Sequence, residues 1–295
     1  MADDLVDEPP EGLETSTWIS KLSEHLDLVY KPKKDNTSSR RAEIVRQYIT
    51  NEFPPSARSA LTLLPASLMP SEPLYLLLEG FRTDSDFQVT EKAGRFPIAT
   101  EHDLSEYGRH VAGTVGELCL ALISHHSREP IYPAHREAVA TAARRMGIAL
   151  QFVNIARDIA VDAALGRVYL PTAWLVEEGL TPEMVIETIT KAPISKGNPT
   201  TKTSSRLQSL EKLRGRLLGR AFKIYAESKP AMDWLPDESR RPMMVAVESY
   251  MEIGRVLLEK EAGPGSFGVI RGRPTRATVP KLRRIRVALR ALLDA

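Results

Sequence analysis

Long stretches with helical periodicity limit what this chain can fold into. In each stretch, apolar or small residues recur every three or four positions over about 20 residues or more, which predicts amphipathic helices. The long stretches are 103–125, 134–162, 206–228 and 242–262, and shorter ones are 15–30, 40–51 and 73–88. No series of alternating apolar and polar residues indicates a β-sheet. The sequence therefore predicts an all-α fold.

Composition narrows the class of protein. The chain has 295 residues, of which 42% are hydrophobic, and this is enough to bury a large core. Its net charge is only +2, so we expect no nucleic-acid partner for the chain as a whole. Two polar stretches, 31–40 and 191–205, are expected to be surface loops inside one domain, 1–295.

The expected location is intracellular, either cytoplasmic or peripheral to a membrane. Cys119 is the single cysteine, so the chain cannot form an internal disulfide, and a reducing compartment is indicated. There is no apolar run of about 18 residues that would predict a membrane span. The N-terminus is acidic and polar, unlike a secretory signal or a transit peptide.

Three oxygen-bearing side chains stand four residues apart in the apolar stretch 151–162. They are Asn154, Asp158 and Asp162, with Gln151 beside them. On a helix they form one polar stripe, and stacked carboxylates repel each other unless a cation lies over them. Mg²⁺ prefers such oxygen ligands. A magnesium site and an exposed acidic face both remain open at this point.

A second acidic pair repeats this spacing near the N-terminus. Asp3 and Asp7 are four residues apart, with Asp4 between them. Two such pairs on facing helices could hold several Mg²⁺ ions, and several cations imply a strongly anionic ligand such as a diphosphate. Arg157, next to Asp158, could donate to phosphate oxygens.

These motifs resemble those of the squalene/phytoene synthase family. The resemblance lies in D-D-L-V-D at the N-terminus, in N-I-A-R-D-I-A-V-D followed by G-R-V-Y-L-P, and in Y-G-R-H-V-A-G-T-V-G-E at 107–117. The segments L-L-E-G-F-R-T-D and E-S-Y-M-E-I-G-R are also similar. The greatest similarity is to the phytoene synthase part of fungal bifunctional lycopene cyclase/phytoene synthases. In those proteins a membrane-embedded cyclase half precedes the synthase, and this sequence has no such half.

The resemblance implies an isoprenoid synthase helical bundle around a central cavity. It implies Mg²⁺-dependent head-to-head condensation of two geranylgeranyl diphosphates, through prephytoene diphosphate, to phytoene in carotenoid biosynthesis. Mn²⁺ is an alternative metal, and no NADPH is expected. The implied metal ligands are Asp3, Asp7, Asn154, Asp158 and Asp162. The aspartates of this set would also be catalytic, together with Tyr107.

Further residues are implied to bind the substrate. Arg157 and Gln151 would bind near the diphosphate, and Tyr107 and Tyr250 could offer a π-face to a cation or a hydroxyl to the diphosphate. The small residues Ala112, Val115 and Gly116 would leave room for polyprenyl chains, although they equally suit close helix packing. Glu79 and Asp84 are expected to form a solvated acidic face.

Two alternatives to phytoene synthesis stay open. One is a squalene synthase-type farnesyl transferase, which would need NADPH. The other is an inactive helical remnant, because family members carry helices upstream of the first motif and this chain begins two residues before it. We therefore expect an N-terminally truncated bundle.

The C-terminal stretch 271–290 is basic, with eight basic residues and no acid. R-G-R-P resembles a DNA minor-groove hook, but the match is short. Leu282, Ile285, Leu289 and Leu292 form one apolar face, which suits an anionic membrane surface. The preferred interpretation is that this helix packs on the bundle with its arginines in water.

Overall fold

The computed structural model describes residues 15–31, 38–89, 94–190, 201–259, 269–270, 273–274 and 278–294. These residues are mostly helical, as predicted. The helices are α1 (Thr15–Tyr30), α2 (Ser38–Glu52), α3 (Pro55–Thr62), α4 (Ser71–Ser85), α5 (Glu101–Gly108), α6 (Thr114–His126), α7 (Arg136–Ala164), α8 (Thr172–Glu177), α9 (Pro182–Thr190), α10 (Thr201–Ser228), α11 (Asp237–Leu258) and α12 (Lys281–Asp294). Two antiparallel ladders pair β1 (Gln88–Val89) with β2 (Gly94–Arg95) and β3 (Val269–Ile270) with β4 (Arg273–Pro274).

Several helices differ from the predicted stretches. The helices α2 and α10 begin at Ser38 and Thr201, inside the stretches 31–40 and 191–205 that were expected to be loops, and α3, α8 and α9 were not predicted. The predicted helix 103–125 is interrupted by a π-helical turn at Arg109–Gly113, which joins α5 to α6. Such turns are frequent at functional sites. The predicted stretch 242–262 starts at Pro242, but α11 begins at Asp237 and contains Pro242 in its interior. The preceding Pro236 occupies the N-cap of α11.

The centre of the fold is α7, which packs against α6, the π turn, α9, α10 and α11. The residues between its polar positions are buried, including Phe152, Val153 and Ile155. One face of α10 packs against α7, and its apolar residues are all buried: Leu207, Leu210, Leu213, Leu217 and Ala221. Burial of α7 thus rules out a simple exposed acidic face.

Glycines let the backbone of α7 touch the backbones of α6 and of the π turn. A Cβ on Gly147 would lie 2.2 Å from the carbonyl oxygen of Ala112, and one on Gly116 would lie 2.3 Å from that of Ala143. Ordinary side chains do not tolerate such distances. Gly116 therefore serves helix packing, which was one of the two interpretations of the small residues.

The N-terminal helices form a second apolar core that contains a buried histidine. Trp18, Leu22 and Phe53 belong to this core, and His25 is 1% exposed beside them. Neither ring nitrogen of His25 has a hydrogen-bond partner among the described residues. Burial lowers the pKa of His25 below its ordinary value of 6.5.

This histidine predicts a loss of stability in mild acid. Below pH 6.5 the unfolded chain takes up a proton that the folded chain excludes, so the free energy of unfolding falls. One such group contributes at most about 1.4 kcal/mol per pH unit. Urea denaturation between about pH 7.5 and 5.5 measures the slope. His110 also has a lowered pKa, through burial and the nearby Arg109. The contribution of His25 is therefore the difference between the slopes measured for the wild type and for His25→Leu. Equal slopes in the two proteins would contradict the prediction.

The C-terminal helix α12 lies against α11 on one face only. Arg283 donates to Glu252, and its Nη2 lies 2.7 Å from Oε1 of Glu259. Ala291 is buried, whereas the four predicted apolar residues all remain exposed. The helix therefore packs on the bundle, and Arg284, Arg286 and Arg290 are exposed, as predicted. Arg283 is the exception because it is ion-paired in the contact, and the apolar face points away from the bundle.

Candidate functional site

An apolar cavity of about 330 Å³ lies beside α7. Its wall comes from the π turn, α6, α7, the helical turn Lys229–Trp234 and α11. Five of the seven residues that were expected to bind substrate line it: Ala112, Val115, Gly116, Gln151 and Tyr250. Val115 and Cys119 are exposed, so the cavity opens to solvent along α6. Its size and apolar wall suit a hydrophobic ligand.

A polar group of side chains stands at the Gln151 end of this cavity. The Tyr250 hydroxyl donates to Oδ1 of Asn154 over 2.9 Å. Nη2 of Arg157 donates to the same oxygen over 2.5 Å. Gln151 lies one helical turn before Asn154 on α7. The cavity wall and the predicted acidic stripe are thus joined through Tyr250.

Arg157 and Asp158 form a two-point ion pair in this group. Nε lies 2.8 Å from Oδ1 and Nη2 lies 2.6 Å from Oδ2. The Asp158 side chain is 5% exposed. The hydrogen bond with Asp158 raises the pKa of Arg157 above its ordinary value, against the opposing effect of burial. Arg157 therefore stays charged, and its guanidinium bridges Asp158 and Asn154.

Asp162, the third member of the stripe, is half-buried at the end of α7. Its backbone carbonyl accepts a hydrogen bond from the Arg167 amide over 2.8 Å. The chain can turn back this sharply because Gly166 has a φ of 76°, which side chains rarely adopt. The turn also brings Val168 and Tyr169 into the core.

The oxygen atoms of the polar stripe, Asn154, Asp158 and Asp162, are of the kind that bind a divalent metal ion. Asn154 and Asp158 present oxygen atoms to one shared cation, the Arg157 guanidinium, and Mg²⁺ accepts the same ligands. Within the described ranges, no three His, Cys, Asp or Glu side chains are grouped closely enough to hold a metal ion. Mg²⁺ sites commonly have only one or two carboxylates, with phosphate and water completing them. The predicted ligands Asp3 and Asp7, with Asp4, lie outside the described residues.

Tyr107 is not in the cavity wall that the described residues form, but belongs to a separate buried cluster. Its hydroxyl donates to Oδ1 of Asp84 over 2.9 Å, and the Tyr169 hydroxyl donates to the same oxygen over 2.7 Å. The two rings stack with centroids 5.1 Å apart. Burial, then the charge of Asp84, raises the pKa of both tyrosines, so both hydroxyls stay protonated.

This cluster corrects the expectation for Asp84. Glu79 does form an exposed ion pair with Arg82, but Asp84 is half-buried and accepts from two tyrosines. The pairing of Asp84 with Tyr169 was not predicted, because the two residues are 85 positions apart in the sequence. Both stand in segments that carry the family resemblance, and that was the one available signal.

The cluster predicts a stability effect. Asp84→Ala removes the acceptor of two buried hydroxyls, and we expect the free energy of unfolding to fall by about 2–4 kcal/mol. Tyr169→Phe removes a donor and its bond together, and should cost only about 1 kcal/mol. Urea denaturation of both variants tests this. Equal losses would mean that the shared acceptor is unimportant.

Comparison with known proteins identifies relatives of the chain. The family model for squalene/phytoene synthase matches residues 1–283. The bifunctional lycopene cyclase/phytoene synthase of Podospora anserina is 46% identical over 297 residues, and that of Colletotrichum graminicola is 48% identical over 295 residues. Each alignment covers 100% of this chain, but only 46% and 45% of the relative. The chain thus spans about half the length of these curated relatives.

Solved structures of similar fold are also helical. A dehydrosqualene synthase in complex with ligand matches with a TM-score of 0.53 at 22% identity, over 95% of this chain and 86% of the other. A squalene synthase from Alicyclobacillus acidocaldarius matches with a TM-score of 0.52 at 18% identity, over 87% and 91%. These matches bear out the predicted isoprenoid synthase helical fold. By its sequence and its fold, the chain belongs to the squalene/phytoene synthase family.

Proposed function

We propose that this chain is a prenyltransferase that joins two geranylgeranyl diphosphates head to head to give phytoene. One observation carries the proposal. Tyr250 lines the apolar cavity and also contacts Asn154, which belongs to a group of side chains of the kinds that bind diphosphate and metal ions. An amphiphilic substrate needs both parts next to each other. The names of the fungal relatives and the prenyl diphosphate substrates of the family support this choice of substrate.

Each part of the site has a role in the proposal. The cavity holds the polyprenyl chains and keeps water from the reacting carbons, since water would quench an allylic cation. Arg157 and Tyr250 bind and orient the diphosphate at the polar end. Tyr107 stays a predicted catalytic residue, although its hydroxyl is bonded to Asp84 in the separate cluster outside the wall of this cavity.

Enzymes of this family generally depend on a divalent metal. We propose Mg²⁺, with Mn²⁺ as the alternative, held by Asn154, Asp158 and Asp162 together with Asp3 and Asp7. When bound, the metal would neutralise charge on the departing diphosphate. Arg157 would then exchange its contact with Asp158 for one with phosphate oxygens, because both cations need the same carboxylate.

Product analysis tests the proposal. Purified chain is incubated with geranylgeranyl diphosphate and Mg²⁺, and phytoene is detected by absorbance and mass. Phytoene that disappears with EDTA is the expected result. A reduced product that needs NADPH would favour the squalene synthase type instead. Absence of product, also from a chain extended upstream, would contradict the proposal.

The single cysteine gives a test of binding that does not need turnover. Cys119 lines the cavity and is exposed, so a maleimide should label it. A non-hydrolysable geranylgeranyl thiodiphosphate should slow labelling, because its chain fills the cavity. Inorganic diphosphate alone should leave the rate unchanged. Unaltered labelling with the prenyl analogue would mean that the chain does not bind in this cavity.

A further inference from the structure

The C-terminal helix α12 carries an unusual surface, which we call the apolar stripe: Leu282, Ile285, Leu289, Leu292 and Leu293. Their side chains are 44–85% exposed. Elsewhere in the described structure, exposed large apolar side chains occur singly, with at most one on any other helix. Single exposed residues are normal on protein surfaces, but a contiguous set marks an interaction site.

The stripe faces directly away from the protein. At about 100° per residue its five members fall within an arc of about 100°. The opposite side of α12 holds Arg283, Val287 and Ala291, which lie in the groove against α11. The ion pairs of Arg283 with Glu252 and Glu259 fix this orientation. The apolar stripe is therefore held outward by contacts on the opposite face.

Charge distinguishes between the surfaces that could cover the stripe. From Lys281 to Asp294 the helix has five basic residues and one acid. Lys281 and Arg286 are exposed on either side of the stripe. A second copy of this chain would bring an equally basic helix against it, and like charges would repel. An anionic lipid surface offers apolar depth for the stripe and phosphate groups for the flanking cations.

We propose that α12 binds the surface of an anionic membrane, lying parallel to the bilayer with the apolar stripe at the boundary of headgroups and acyl chains. At 14 residues α12 is too short to cross a bilayer. In the part of the chain that is described, no helix combines the length and apolarity of a membrane span. The surface is separate from the cavity, since no residue of α12 lines that cavity. The inference therefore stands or fails independently of the proposed activity.

Vesicle flotation tests it with the whole chain. Vesicles are made from phosphatidylcholine alone or with about 30% phosphatidylserine, at low and at about 0.5 M salt. We expect binding to the anionic vesicles that weakens on neutral vesicles and in high salt. The triple variant Leu282→Ser, Ile285→Ser, Leu289→Ser should bind more than about tenfold more weakly. Lys281→Gln with Arg286→Gln should weaken binding about tenfold or more.

A matched triple variant controls for loss of exposed apolar surface. This control variant combines Leu63→Ser, Leu165→Ser and Val176→Ser, at exposed positions on other parts of the described surface. It should bind anionic vesicles as the wild type does. Equal binding by the wild type and the stripe variant, or no binding by the wild type, would overturn the proposal. So would a dimer in sedimentation velocity that only the stripe variant abolishes, because the stripe would then be an interface between copies. If the stripe variant fails to fold, the charge variant, which keeps Arg283, decides.

Discussion

Replacing Asp158 by asparagine is expected to lower phytoene formation by at least about 10³-fold. The side chain keeps its shape but loses the charge that a divalent cation needs, and metal stabilisation of a leaving group supplies several kcal/mol. Asp158 is also buried against Arg157, so the variant should lose about 1–3 kcal/mol of unfolding free energy. The measurement is turnover of geranylgeranyl diphosphate at saturating Mg²⁺, well below the unfolding temperature.

Glu137→Gln is the matched control on the same helix. Glu137 is also paired with an arginine, Arg144, but its side chain is 88% exposed. It lies near the start of α7, far from the polar stripe that contains Asp158. Turnover and stability should both stay near wild type, since exposed ion pairs contribute little. If Asp158→Asn retained turnover within about tenfold of this control, Asp158 would not be a metal ligand.

Gly147→Ala is expected to be strongly destabilising, although it adds only one methyl group. The added carbon would lie 2.2 and 2.5 Å from backbone atoms of Ala112, and backbone cannot rotate aside as a side chain can. The helix α7 and the π turn would have to separate, and we expect a net loss of about 2 kcal/mol or more despite the better helix propensity of alanine. Urea denaturation measures the loss. Both residues line the cavity, so the rate of Cys119 labelling should change as well.

Gly215→Ala makes the same glycine-to-alanine change, but we expect it to raise the stability of the protein. Gly215 lies within α10, and a Cβ there would meet nothing within 4 Å. Only the gain in helix propensity and the smaller entropy of the unfolded chain remain, so stability should rise by about 0.5–1 kcal/mol. If both variants lost stability equally, the close approach of α7 to the π turn would not be what requires Gly147.

The sequence by itself determined the long helices and the polar stripe, because both depend on local periodicity, whereas the short helices α3, α8 and α9 carry too few residues to show it. The bounds of α1 match the predicted 15–30, and the apolar spacing of 206–228 matches the buried face of α10. Asn154, Asp158 and Asp162 share one side of α7 by helix geometry alone. The family motifs added the implied roles of Arg157 and Tyr250, which no periodicity could supply.

Only the tertiary structure decided which distant residues meet. The contact of Tyr250 with Asn154 spans 96 residues, and that of Tyr169 with Asp84 spans 85. Such pairs depend on how helices pack, and the packing depends on the backbone contact at Gly147. The exposure of the apolar stripe likewise depends on how α12 packs against α11. Its apolar pattern was visible in the sequence, but the ion pairs of Arg283 determine which face turns outward.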